Sequence, residues 1–240
     1  MNIITRPGQL KLRHVKEQGV TIDILTYGAG QDRVTECNQN RRMLRKELGS
    51  SMIDIDAAID THLAVIQGVR LLVPEIRKVG DEMTACLRGG GKVLWMGNGG
   101  SAADSQHLAA ELVGRFTRER PGLPSIALTT DTSILTAVAN DYGYERIFAR
   151  QIDALCRPGD IVVGISTSGN SANVLRALEL ANERAAVTIG MTGGDGGALR
   201  ALVRHCLVVP SRSTARIQEG HILIGHLLCD WVEAALVSKP

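Results

Sequence analysis

Aromatic side chains are scarce in this chain: two Trp, three Tyr and two Phe make up 3% of 240 residues. So few rings leave no platform on which bases or sugar rings could stack. An excess of one charge is missing as well, with 27 Lys and Arg against 25 Asp and Glu. The basic residues form no dense patch, which removes nucleic acid as a default partner. The five cysteines, Cys37, Cys86, Cys156, Cys206 and Cys229, are odd in number and contain no close pair. That spacing argues against a disulfide frame or a thiolate zinc site and for a reducing compartment. Apolar runs stay far below the roughly 20 residues that cross a bilayer. Met1–Ile4 passes at once into Arg6-Pro7 rather than into the apolar core of a leader. The expectation is a soluble cytoplasmic protein with neither a membrane nor a nucleic-acid partner, long enough to bury a sizeable core.

The first fifty residues differ from the rest. They carry nine Lys and Arg against five Asp and Glu, contain the turn-rich Tyr27-Gly28-Ala29-Gly30, and show no sustained period. Residues 1–50 are therefore expected to be a poorly ordered extension or the product of a start upstream of Met43 or Met52, and a partner-binding arm is the sharper alternative. Residues 51–240 are expected to form the functional domain. From Ile53 to Leu87 the apolar residues recur at helical spacing, and Pro74 marks a break. These helices carry more apolar surface than one sheet face requires, so a second subunit is expected against them.

After Gly89-Gly90-Gly91 a strand–helix rhythm begins. The strand candidates are 92–96, 125–129, 160–165, 186–191 and 206–209. Helices are expected near 101–116, 132–140, 171–183, 197–203 and 214–236. Nearly continuous Val/Ile/Leu strands alternating with helices predict a doubly wound five-stranded parallel sheet covered on both faces. Ligands in such sheets sit at the carboxyl ends of the strands.

Two loops fall at those ends. Gly97-Asn98-Gly99-Gly100-Ser101 joins a buried strand to a helix, so glycine backbone and helix N-terminus make an anion-binding corner. His107 and Glu111 then stand four residues apart on one face of that helix. A carboxylate on a helix otherwise made of small and apolar residues needs a partner or a function. The second loop, Ser166-Thr167-Ser168-Gly169-Asn170-Ser171, offers four hydroxyls before another helix and can hold a phosphate without a Lys or Arg. In the last helix His221 and His226 interrupt an apolar run. Five residues place them about 140° apart, so they cannot share a ligand. His226 is favoured for chemistry and His221 for structure.

These segments, with Arg120-Pro121-Gly122-Leu123-Pro124, Thr129-Thr130-Asp131-Thr132-Ser133, Asn140-Asp141-Tyr142-Gly143-Tyr144 and Ile217-Gln218-Glu219-Gly220-His221, resemble the phosphoheptose isomerases of the sugar isomerase (SIS) fold family. The resemblance covers about residues 53–237. It implies an aldose–ketose isomerase that converts sedoheptulose 7-phosphate to D-glycero-D-manno-heptose 7-phosphate for cell-envelope heptose. It also implies the SIS fold and a homotetramer with active sites between subunits. Carried over by position, Ser166, Thr167, Ser168 and Ser171 would hold the phosphate. Gly99, Gly100, Ser101, Asn140, Asp141 and Gln218 would line the sugar. Glu111 would be the base and His226 its proton-transfer partner. Some members bind zinc, and the matching ligands are His107, Glu111, Gln218 and His226; no nucleotide cofactor is implied.

A carboxylate suits abstraction of a carbon-bound proton, and an imidazole suits proton shuttling between two oxygens. Gln218 and His226 are eight residues apart, about 12 Å along a regular helix. One metal takes both only if the side chains converge from different turns or subunits. The alternative from another class is a non-catalytic SIS protein that binds a replication initiator. That group resembles this chain around Ser213–Glu219 but lacks the acid/base pair. An arabinose 5-phosphate isomerase is the other enzymatic reading, set back by the missing regulatory module.

Overall fold

In the computed structural model the described residues are 10–17, 20–27 and 53–237. The chain divides into two units, 1–55 and 56–240. In the first, β1 (Leu10–Glu17) pairs antiparallel with β2 (Val20–Tyr27), with Leu10 opposite Tyr27 and Glu17 opposite Val20. No strand period was expected there, yet Val20-Thr21-Ile22-Asp23-Ile24 is rich in the β-branched residues that favour strands. The other residues of 1–50 lie outside those described.

The second unit opens with α1 (Ile55–Val69), a 3₁₀ turn at Arg70–Leu72 and α2 (Val73–Arg88). Pro74 sits in the first turn of α2, where its missing N–H costs nothing, so the break falls just before it. The five strands are β3 (Val93–Gly97), β4 (Ser125–Ala127), β5 (Ile161–Ile165), β6 (Val187–Gly193) and β7 (His205–Val209). They form one parallel sheet in the order β4-β3-β5-β6-β7. All residues of β3 and β5 are buried, as expected of strands covered on both faces. The helices are α3 (Gly100–Val113), α4 (Thr132–Tyr142), α5 (Ala149–Leu155), α6 (Ala172–Glu183), the single turn α7 (Leu199–Leu202) and α8 (Thr214–Val237).

Two apolar clusters flank the sheet. One joins Trp95, Val163 and Met191 to Val79, Met83, Leu108, Ile224 and Leu228; the other joins Leu94, Met96 and Val162 to Phe148, Ile152, Val174 and Leu178. Helix α8 is long and apolar enough to cross a membrane by length and composition. It packs instead along α2 and α3, and Ile217, Ile224, Leu228 and Val232 are buried there.

Several expected boundaries shift. Residues 125–129 shorten to a three-residue strand, because the chain turns at 128–130. Helix 197–203 reduces to one turn, held between Gly196 and Gly197, both at positive φ, and the extended Val203. Helix α5 was not foreseen.

Candidate active site

The strand order places the crossover reversal between β3 and β5, the point where open parallel sheets bind ligands. Gly97 at the end of β3 lies opposite Ile165 at the end of β5, so the two predicted loops leave neighbouring strands. Gly99 caps α3 at φ +55° and ψ −120°, a conformation that requires glycine. A Cβ on Gly100 would run into the side-chain amide of Gln218, so glycine here lets α8 approach the corner. Asn98 and Asn173 exchange amide hydrogen bonds of 2.9 and 2.8 Å, which ties the glycine corner to α6. Tyr144 donates to Asn98 Oδ1 at 3.0 Å.

In the second loop Ser166 Oγ and Ser171 Oγ lie 2.8 Å apart, and Asn170 N–H donates to Ser168 Oγ at 3.2 Å. Thr167 and Ser168 open onto a cleft of about 270 Å³, which Asp195, Arg212 and Thr214 also line. The sequence reading missed Arg212. Its signal was a lone cation in Ser211-Arg212-Ser213-Thr214, between the last strand and the long helix. Ser101 is buried against Gly97, whereas Asn140 and Asp141 are exposed at the end of α4, with Asn140 donating to Asp141 at 2.8 Å.

His107, Glu111 and His226 come together, with one ligand atom from each within 4.8 Å of the others. His107 Nε2 is 2.9 Å from His226 Nε2 and 3.3 Å from Glu111 Oε1. Helix α3 supplies the first two at i and i+4, and α8 supplies the third. Two imidazoles and a carboxylate with ligand atoms this close are a donor set that fits a borderline-soft divalent cation. Gln218, the remaining residue of the implied ligand set, also lies on α8. It lies inside regular helix, eight residues before His226, against Gly100. His221 is fully buried, contacts the Thr192 carbonyl at 3.1 Å through Nε2, and has its pKa lowered to about 4 by burial. That agrees with a structural role. Asp104, one turn before His107, is half-buried with its pKa raised by burial and partly restored by the charge of His107. Cys229 is pushed up to about 12 by burial, with the charge of Glu111 adding to it.

Residues 59–193 match the family described as SIS domain. The phosphoheptose isomerase of Geobacter metallireducens is 55% identical over 184 residues, which cover 76% of this chain and 97% of that protein. Among solved structures, phosphoheptose isomerase from Neisseria gonorrhoeae superposes with a TM-score of 0.71 at 46% identity, over 75% of this chain and 97% of the other. The phosphoheptose isomerase from Francisella tularensis gives a TM-score of 0.70 at 42% identity, over 76% and 99%.

Proposed function

This chain belongs to the phosphoheptose isomerases of the SIS domain family, and from that premise we propose how its residues interconvert sedoheptulose 7-phosphate and a heptose 7-phosphate. The convergence of Glu111 and His226 from separate helices carries the reading. A non-catalytic SIS protein has no use for such a pair, and the initiator-binding alternative finds no support. Residues 51–240 act as the catalytic unit.

The open-chain ketose lies with its phosphate at the hydroxyls of Ser166, Thr167, Ser168 and Ser171. Gly99, Gly100, Ser101, Asn140, Asp141 and Gln218 line the sugar. Glu111 takes a proton from C1, and His226 gives a proton to O2, which leaves an enediol. His226 then removes the proton from O1 while Glu111 returns one to C2, and the aldose results. No atom is lost, and both groups end as they began.

His107, Glu111 and His226, with Gln218, would hold a zinc ion. A cation there would supply positive charge where negative charge develops on the sugar oxygens. The eight-residue spacing of Gln218 and His226 within α8, about 12 Å along a regular helix, and an apolar stripe on α1 support a homotetramer with sites between subunits. A cytoplasmic location fits a biosynthetic enzyme whose four described cysteines are free.

The test incubates zinc-loaded protein with sedoheptulose 7-phosphate and follows aldose formation. Aldose accumulating to equilibrium is expected, and no turnover overturns the reading. Full turnover by metal-stripped protein would dismiss an essential zinc.

A further inference from the structure

Beyond the trio lies a buried ion pair that no step above uses. Glu233 sits two turns after His226, on the same face of α8, and its side chain is fully buried. It accepts hydrogen bonds from the backbone N–H groups of Phe116 (2.9 Å), Thr117 (2.8 Å) and Arg118 (2.7 Å), and from Thr117 Oγ1 (3.0 Å). Its Oε1, which also accepts from Phe116, lies 3.1 Å from Arg120 Nε, and the Arg120 side chain is only 3% exposed. Arg120 in turn donates to the carbonyls of Glu111 (3.0 Å) and Leu112 (2.9 Å) in the last turn of α3 and of Gly114 (3.2 Å) just past it. The Phe116 ring lies against the His226 imidazole, with centroids 5.4 Å apart.

We propose that Glu233 and Arg120 are positioning residues which lock loop 114–121, setting Glu111 through its own carbonyl and His226 through the Phe116 ring. The inference rests on Glu111 and His226 being the working pair. A planar guanidinium can face a carboxylate and several helix-end carbonyls at once, whereas an ammonium cannot hold that fan of bonds. A plain fold-stabilising pair would need no contact with either working residue, yet this one reaches both. Misplacing a catalytic group by about 1 Å can cost on the order of 100-fold in rate.

Breaking a buried pair outright risks unfolding, so the test uses Arg120→Lys and Glu233→Asp. Ile152→Val, in the core on the other side of the sheet, serves as a stability control. Three quantities are read: Tm, steady-state constants for sedoheptulose 7-phosphate, and the dissociation constant for zinc alone by chelator competition. Both variants are expected to lose roughly 10- to 100-fold in kcat and in zinc affinity, with KM within about threefold. The control, at a comparable loss of Tm, is expected to keep both constants. Phe116→Leu leaves the backbone bonds in place and is expected to lower kcat and zinc affinity by a few-fold with KM little changed. If Arg120→Lys and Glu233→Asp match the control in kcat and zinc affinity, the pair is structural and the proposal falls. If the unaltered protein turns nothing over, the isomerase reading falls instead, and the zinc constants still decide the clamp.

Discussion

The carboxylate of Glu111 and the imidazole of His226 can serve one substrate because α3 and α8 hold them at the same point. Replacing Glu111 by Gln keeps the shape and removes the proposed base, so kcat is expected to fall by about 10²- to 10⁴-fold with KM little changed. His226→Gln is expected to act similarly, and steady-state assays check both. His221, five residues before His226, behaves oppositely because it is buried and neutral. Its pKa falls from 6.5 to about 4 on folding, so below pH 6.5 the unfolded chain takes up a proton that the folded chain refuses. Its contribution is therefore complete above pH 6.5 and is lost as the pH drops towards 4, by up to roughly 3 kcal/mol. Urea midpoints should fall across that window in the unaltered protein, and a His221→Gln variant should lose that component. Glu233 has the same sign at lower pH. Burial alone would raise its pKa, but the N–H groups of Thr117, Phe116 and Arg118 outweigh that and hold it at about 2. Its stabilisation is present above about pH 4.5 and fails only in strong acid.

At the scale of elements, the glycine corner and α8 meet where Gly100 faces the Gln218 amide. Gly100→Ala would push a Cβ into the Gln218 amide, the far end of a flexible side chain. Tm is expected to change by only a few degrees while KM rises, as melting and kinetics on the same sample would show. Much of this architecture was legible in the sequence. The five strands, α3 with its His107–Glu111 spacing, the serine loop and the long last helix follow from apolar runs and turn residues. Helix α5 escaped because seven residues are too few to display a 3.6-residue period. The strands at 10–27 escaped because charged residues sit among the apolar ones. Glu233 and Arg120 escaped for a different reason. Their pairing spans most of the domain in sequence, and only folding brings a lone carboxylate in Trp231-Val232-Glu233-Ala234 against Arg120.

For the whole molecule, the surface of α1 is the part a single chain leaves unexplained. Ile55, Ile59 and Leu63 recur every four residues with 69%, 52% and 53% of their surface exposed. A stripe of that kind on a helix is covered by another protein surface more often than by water. If the proposed tetramer is packed through this stripe, Ile59→Glu is expected to yield smaller species in light scattering and to cut activity. The fold itself should survive, because α1 contributes few residues to the core. All of this rests on Glu111 moving the carbon-bound proton through an enediol. The most direct measurement runs the isomerisation in deuterium oxide and reads the product by NMR, for the unaltered protein and for Glu111→Gln. The account predicts solvent deuterium at C2 of the heptose 7-phosphate with the unaltered protein, and no aldose above background with the variant. Aldose formed by Glu111→Gln at the unaltered rate would contradict it.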